Sequence, residues 1–447
     1  MRGAAGTPIP TKSTWLSIER RPGMIALFIV FFLLLLVGVP IFIALGGASL
    51  TFTHFFTTIP DFVTLHRMAG GVDSFPLIAV PFFILAGNLM NTAGITNRIY
   101  DFATAGVGWL RGGLGHVNVV GSVIFAGMSG TAVADAGGLG TIEIKAMRDH
   151  GYDDEFAVGI TAASSTIGPI IPPSLPMVIF GVMANVSIGQ LFAAGFIPGL
   201  LMAAAMMAYV AWYAHRHGIG RDQVFRWGVL GRTFLRAIPA LLTPAIIIGG
   251  MSAGVFTPTE AAIAACAWAL FLGLLLYKTL SWKQFYRISL ETIETTASVL
   301  IIVGAASLFG WVLTTTRITE TVSAALLSIT TDPLLLLLII NVILLVIGCF
   351  METIAAISIL VPVLMPAVTK VGIDPVQFGV IMVLNLMIGL LTPPVGMVLF
   401  VLSRVARLSF DRTVMAVLPF LVPLLAVLVL ISAIPTLTLF LPTLWYR

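Results

Sequence analysis

The sequence predicts an all-α polytopic membrane protein built from two inverted-topology repeats, each with a re-entrant hairpin and a broken helix. Three observations carry that prediction. The 447 residues are 59% hydrophobic and only 9% charged, with a mean hydropathy of +1.07, far above any water-soluble globular domain. Two apolar stretches are cut by proline pairs, Ile167-Gly168-Pro169-Ile170-Ile171-Pro172-Pro173 and, 221 positions later, Ile388-Gly389-Leu390-Leu391-Thr392-Pro393-Pro394. Each pair removes two backbone donors and pushes the preceding residue out of the helical region, so upstream carbonyls lose their partners at a depth where water is scarce. Finally, one shift of 221 superposes Gly127 on Gly348, Ala134 on Ala355, Gly151 on Gly372, Asp153 on Asp374, Gly168 on Gly389 and Pro172-Pro173 on Pro393-Pro394. Paired Gly/Pro interruptions in corresponding halves mark the binding region of repeat-built membrane proteins.

In chain order, Met1 to Gly23 is a polar tail. The apolar run from Met24 exceeds a signal-peptide core and is followed by many spans, so it reads as a retained helix. Gly38-Val39-Pro40 splits residues 24–57 into two helices, 24–39 and 40–57. Residues 76–92 form the next block. Blocks 117–128 and 138–148 are too short to cross a bilayer and pair as a hairpin around Ser129 to Gly137. A broken helix follows over 156–186, then spans at 190–213, 237–253, 258–277 and 295–313. Blocks 334–349 and 353–368 make a second hairpin around Phe350 to Glu352. Another broken helix covers 376–403, and 413–440 is the last block.

Fifteen of the 23 Lys and Arg residues, from Arg98 and Arg111 through Arg216–Arg236 and Lys278–Arg287 to Arg404–Arg412, fall in loops that one alternating topology places on a single side. The positive-inside rule makes that side cytoplasmic. The first hairpin then enters from the cytoplasm and the second, flanked by Arg317 and Lys370, from the opposite face. Cys266 and Cys349 lie in apolar runs and read as packing residues. The tryptophans lie mostly near span ends, as interfacial belts require.

The first hairpin tip, Gly127-Met128-Ser129-Gly130-Thr131-Ala132-Val133-Ala134-Asp135, is small and polar among bulky neighbours. Its hydroxyls and exposed carbonyls are hard oxygen ligands, although small residues also serve helix packing. Ser164-Ser165-Thr166 precedes the first break and Ser174 follows it. Such hydroxyls coordinate a cation or bond back to their own helix. Glu352 and Thr353 occupy the second tip. A carboxylate inside an apolar segment costs roughly 2.5 kcal/mol or more, so it is either functional or a cap on the returning half-helix. Thr392 and Gly396 flank the second proline pair. Glu260, after Thr257-Pro258-Thr259, reads as a structural helix cap.

Other chemistries find little support. Gly127-Met128-Ser129-Gly130 matches the short motif around an intramembrane serine nucleophile, but none of the six histidines lies at the depth of a base facing Ser129. The chain is expected to be no enzyme. No GxxxxGK[ST] phosphate loop occurs, and no nucleic-acid module is visible. His215 and His217 sit on different helix faces and read, with the neighbouring arginines, as a cytoplasmic anchor rather than a metal site.

Through these motifs the chain resembles the large membrane subunit (M subunit) of tripartite ATP-independent periplasmic, or TRAP, transporters. The resemblance covers nearly all of residues 24–440. It is carried by Phe75-Pro76-Leu77, Phe83-Ile84-Leu85-Ala86-Gly87, Arg111-Gly112-Gly113-Leu114, His116-Val117-Asn118-Val119, the first hairpin tip, Ala162 to Pro169 and Leu391-Thr392-Pro393-Pro394-Val395-Gly396. It implies an elevator-type protein like those of the ion transporter superfamily, in the bacterial inner membrane, importing a carboxylate such as a C4-dicarboxylate or sialic acid on a sodium gradient. The implied partners are a small four-helix membrane subunit (Q) and a soluble periplasmic substrate-binding protein (P). No cofactor is implied beyond Na⁺ as coupling ion.

Carried onto this chain, the first sodium site uses Ser129, Thr131, Ser164, Ser165, Thr166 and Gly168. The second uses Gly348, Glu352, Thr353, Leu391, Thr392 and Pro393, and Ser174, Asp135 and Gly396 contact substrate. The implied division is a tail (1–23), scaffold helices (24–92), a first transport repeat (93–188), further scaffold (189–314), a second transport repeat (315–440) and a C-terminal tail (441–447). A self-sufficient sodium–carboxylate symporter on the same plan, or an ion channel, are the alternatives. The long polar tail departs from the family pattern.

Overall fold

Twenty-one α-helices follow one another in the computed structural model, which describes residues 12–92 and 94–446; the side chains of 12–22 and 127–129 lie outside the description. In order they are α1 (Lys12–Val37), α2 (Ile41–Phe56), α3 (Asp61–Val72), α4 (Ala79–Thr92), α5 (Ile95–Val107), α6 (Gly113–Ser129), α7 (Ala132–Gly137), α8 (Leu139–Asp149), α9 (Asp154–Ser165), α10 (Leu175–Ala184) and α11 (Ile188–Arg216). Then come α12 (Trp227–Ser252), α13 (Pro258–Leu270), α14 (Trp282–Thr315), α15 (Ile318–Ile329), α16 (Pro333–Gly348), α17 (Thr353–Lys370), α18 (Pro375–Gly389), α19 (Met397–Ala406), α20 (Phe410–Ala433) and α21 (Thr436–Trp445). Among the described residues, seven helical stretches are long and apolar enough to cross a membrane, including α11, α12, α14, α17 and α20.

Local chemistry sets the boundaries. Gly38, at φ +83°, and the extended Pro40 separate α1 from α2, as the sequence predicts. A reciprocal capping box between Thr257 and Glu260 opens α13, confirming the structural role read for Glu260. Asp332, Asp374, Ser187 and Ser409 each accept a backbone N–H at the start of their helices. Several elements differ from the sequence reading. An additional helix, α3, fills residues left between apolar blocks. The returning limb of the first hairpin is split at Gly138 into α7 and α8. The last block breaks at Ile434–Pro435 into α20 and α21, because proline cannot continue the hydrogen-bond ladder.

The two repeats correspond residue by residue. Gly151 and Gly372 carry φ of +78° and +80°, and Pro172-Pro173 and Pro393-Pro394 are both cis. Thr131 and Glu352, 221 apart, are both N-caps of a returning limb, and Asp153 and Asp374 both stand at the start of a broken helix. Past the breaks the offset becomes 222: Ser174 and Gly396 open α10 and α19, Asn185 and Arg407 close them in the left-handed region, and Ser187 and Ser409 cap α11 and α20. One extra residue in the second break accounts for the change.

Packing follows the same correspondence. The hairpin limbs α6 and α16 lie on α9 and α18 of their own repeats. Past the breaks the repeats cross, with α7 against α19 and α17 against α10. Likewise α9 packs on α20 and α18 on α11, which makes α11 the counterpart of α20. Almost every residue of α9 and α18 is buried, so the broken helices form the centre of the molecule. Around it run α1 to α4 and α12 to α14, with the 34-residue α14, about 50 Å long, contacting α2, α3, α4 and α17. Asp222 Oδ2 accepts from the Leu114 backbone at 2.9 Å and from the Tyr152 hydroxyl at 2.6 Å, tying the loop after α11 to the start of α6. Burial and that carboxylate raise the Tyr152 phenol above its ordinary value.

Candidate functional site

Each hairpin tip meets the break of its own repeat. In the first half, Gly130 adopts φ +63° at the tip, and a Cβ built there would lie 3.1 Å from the Pro173 carbonyl oxygen. Thr131 caps α7, accepting from the Ala134 N–H at 3.3 Å. In the second half, the Gly396 N–H donates to the Cys349 carbonyl at 3.4 Å, joining break to tip. Glu352 Oε2 accepts from Ile354 and Ala355 N–H groups at 2.8 and 3.2 Å, so the carboxylate does cap the returning limb α17.

The breaks expose oxygen. Among the described residues, no backbone hydrogen bond outside the helices ends on the carbonyls of Ser165, Thr166 or Gly168, nor on those of Leu391, Thr392 or Pro393. The hydroxyls behave differently from one another. Ser165 and Thr166 donate to Ala162 and Ala163 carbonyls at 2.8 and 2.6 Å, and Thr392 donates to Ile388 at 2.9 Å. A hydroxyl that donates backwards keeps its lone pairs for a cation. Thr353 Oγ1 is buried with no hydrogen-bond partner among the described residues. A polar atom in that state at a hairpin tip fits a missing hard-cation ligand. The side chain of Ser129 lies outside the described residues.

The three residues expected at the substrate take different local roles. Ser174 is fully buried, donating to the Pro169 carbonyl at 2.5 Å and accepting from the Met177 N–H at 3.3 Å, so it caps α10. Gly396 holds φ +55° at the start of α19, which packs on α7 of the other repeat. Asp135, 2% exposed, stands against Gly168: a Cβ at that glycine would collide with Asp135 Oδ2. That contact puts the carboxylate beside the first break.

Sequence reasoning missed two buried polar clusters. Asn118 of α6 donates through Nδ2 to Glu143 Oε2 of α8 at 2.7 Å and to Thr161 Oγ1 of α9 at 2.8 Å, while Ser164 Oγ donates to Asn118 Oδ1 at 2.6 Å. In the second repeat Asn385, 221 residues after Ser164, donates to Asn341 Oδ1 of α16 at 2.9 Å, and Asn341 donates to Ser432 at 3.0 Å. Lone carboxamides and an acid inside apolar runs were the available signal, by the same rule that singled out Glu352.

Comparison with known proteins adds an independent line. The family described as "Tripartite ATP-independent periplasmic transporter, DctM component" matches residues 28–437. The chain is 47% identical over 418 residues to the "Sialic acid TRAP transporter large permease protein SiaM" of Vibrio cholerae, covering 92% of this chain and 96% of that one. It is 42% identical over 416 residues to the "Sialic acid TRAP transporter permease protein SiaT" of Haemophilus influenzae, covering 93% and 68%. Among solved structures, the Alcanivorax borkumensis YdaH transporter, described as having an unusual topology, superposes with a TM-score of 0.62 at 14% identity, covering 88% of this chain and 97% of that one. At that identity the likeness concerns the fold.

Proposed function

The chain belongs to the DctM component family of tripartite ATP-independent periplasmic transporters, and from that premise we propose that it imports an organic acid across the bacterial inner membrane on a sodium gradient. It is a multi-pass large permease subunit. The acid is sialic acid or a related carboxylate, a choice supported by the names of the two relatives quoted above. A periplasmic protein delivers the substrate, and a small membrane subunit completes the complex.

The observation that carries the reading is the reciprocal crossing of the repeats. Each hairpin tip meets its own helix break, and each returning limb packs on the far half of the other repeat's broken helix, α7 on α19 and α17 on α10. Such a body keeps two oxygen-rich half-sites in fixed relation while it moves as a unit. The first half-site comprises Thr131, Ser164 to Gly168 and Asp135. The second comprises Glu352, Thr353 and Leu391 to Pro393. Hard oxygen donors with one carboxylate each suit Na⁺. Alternating access is then an elevator motion of the hairpins, the broken helices and α20, joined by α11, which the sequence alone assigns to the scaffold but which packs on α18 as α20 packs on α9, against α1 to α4 and α12 to α14. No Arg or Lys lies in the hairpin tips (127–137 and 348–353) or in the breaks (165–174 and 389–396) to clamp a carboxylate bidentately, so selectivity rests largely with the delivering protein.

The test is uptake of labelled sialic acid into proteoliposomes holding the large and small subunits, with purified binding protein outside. Accumulation that needs both an inward Na⁺ gradient and the binding protein is expected. Uptake by the large subunit alone would instead identify a self-sufficient symporter, and single-channel currents would identify a channel.

A further inference from the structure

The Asn118 cluster joins three elements inside the apolar core. Asn118, Glu143, Thr161 and Ser164 are 0%, 2%, 1% and 1% exposed. Both N–H bonds of the Asn118 carboxamide are used, one on Glu143 and one on Thr161, and its oxygen takes the Ser164 proton. Glu143 Oε2 stands as an acceptor towards that amide, which turns its nitrogen to Glu143 and Thr161. With nitrogen turned to Glu143 and Thr161, oxygen must face Ser164. Ser164 therefore makes its short bond across to α6, with a longer 3.2 Å contact to the Thr161 carbonyl, whereas Ser165 and Thr166 bond only back along their own helix. The second repeat reproduces the link from hairpin limb to broken helix with a neutral pair, Asn385 on Asn341.

We propose that Glu143, acting through Asn118, is a positioning residue that latches the first hairpin limb to the broken helix and presets the Ser164–Gly168 break for its cation. The proposal deepens, and rests on, the reading of that break as a sodium half-site. Glu143 Oε1 has no hydrogen-bond partner among the described residues and sits where a Cβ on Gly121 would lie 3.2 Å away, so the role requires Oε2 as an acceptor and not a full charge. Glutamine supplies the same acceptor in nearly the same volume.

The experiment is a thermal-shift titration of the purified full chain in nanodiscs, with NaCl replacing choline chloride at constant ionic strength, paired with hydrogen–deuterium exchange over 117–128. Wild type and Glu143→Gln are expected to agree within about threefold in apparent Na⁺ affinity, with α6 protected in both. Asn118→Leu, or Asn118→Ala should leucine not fold, is expected to weaken Na⁺ at least about tenfold and to raise exchange in α6. A glutamine variant as impaired as the Asn118 variants would overturn the proposal, because charge itself would then be needed. Unchanged Na⁺ affinity in the Asn118 variants would overturn it as well. If wild type shows no Na⁺ response, the sodium reading fails separately. Exchange then decides the latch: faster exchange in the Asn118 variants alone supports it, and unaltered exchange overturns it.

Discussion

Gly348 and Gly389 meet backbone to backbone: a Cβ built on Gly389 would lie 2.6 Å from the Gly348 Cα. The second hairpin and the second broken helix therefore approach as closely as two chains can, and only glycine permits it. At the position 221 earlier, Gly168 faces the Asp135 carboxylate. Close approach in one repeat and a filled gap in the other explain why both positions read Gly in the sequence.

Gly389→Ala forces the hairpin away from the break. We expect a loss of about 1–3 kcal/mol, the usual cost of overpacking, together with weakened Na⁺-dependent uptake. Thermal unfolding of the purified protein checks the first and proteoliposome uptake the second. Unaltered stability would show that the hairpin shifts freely.

Thr353→Val separates a ligand from a packing residue by the sign of its effect. Removing a buried hydroxyl without a partner should raise stability by about 1–3 kcal/mol in Na⁺-free buffer. If Oγ1 ligates an ion, the same variant should need several-fold more Na⁺ for half-maximal uptake. Raised stability with an unchanged Na⁺ requirement would assign Thr353 to packing.

Glu352→Gln keeps an oxygen for the Ile354 and Ala355 N–H groups and removes the charge. We expect the fold to survive with little change in melting temperature, while half-maximal Na⁺ rises about tenfold. Glu352→Ala should lose both properties, including about 1 kcal/mol for the missing cap. Equal Na⁺ curves for wild type and glutamine would reduce Glu352 to a cap.

Arg412 and Glu155 make an exposed ion pair at 2.6 Å between α20 and α9. Exposed pairs contribute little, and salt screens them. Arg412→Ala should leave melting and uptake near wild type at physiological ionic strength, which makes it a control for the buried substitutions.

How much of this was legible in the sequence depends on how local each signal is. Breaks, caps and hairpin tips are written in neighbouring residues, so Gly38-Val39-Pro40, Thr257 to Glu260 and both proline pairs read directly. The 221 shift added their correspondence. What the sequence hid is set by distance along the chain. Asn118 meets partners 25, 43 and 46 residues away, and nothing near Asn118 announces them. The helix α3 and the arms α5 and α15 fell outside the apolar blocks because only one side of each is buried. Ser174, which the family resemblance assigns to substrate, also bonds to the Pro169 carbonyl, a contact that nothing beside it in the sequence announces.

The central claim is that the two repeats supply two sites, each for one coupling ion. The most direct measurement is the initial rate of sialic acid uptake as a function of Na⁺ concentration, with the complete complex in proteoliposomes and choline as the replacement ion. A sigmoidal dependence is expected, with a Hill coefficient above 1, that falls towards a simple hyperbola in Glu352→Gln. A rate indifferent to Na⁺, or a hyperbolic wild-type curve that Glu352→Gln leaves unchanged, would contradict it.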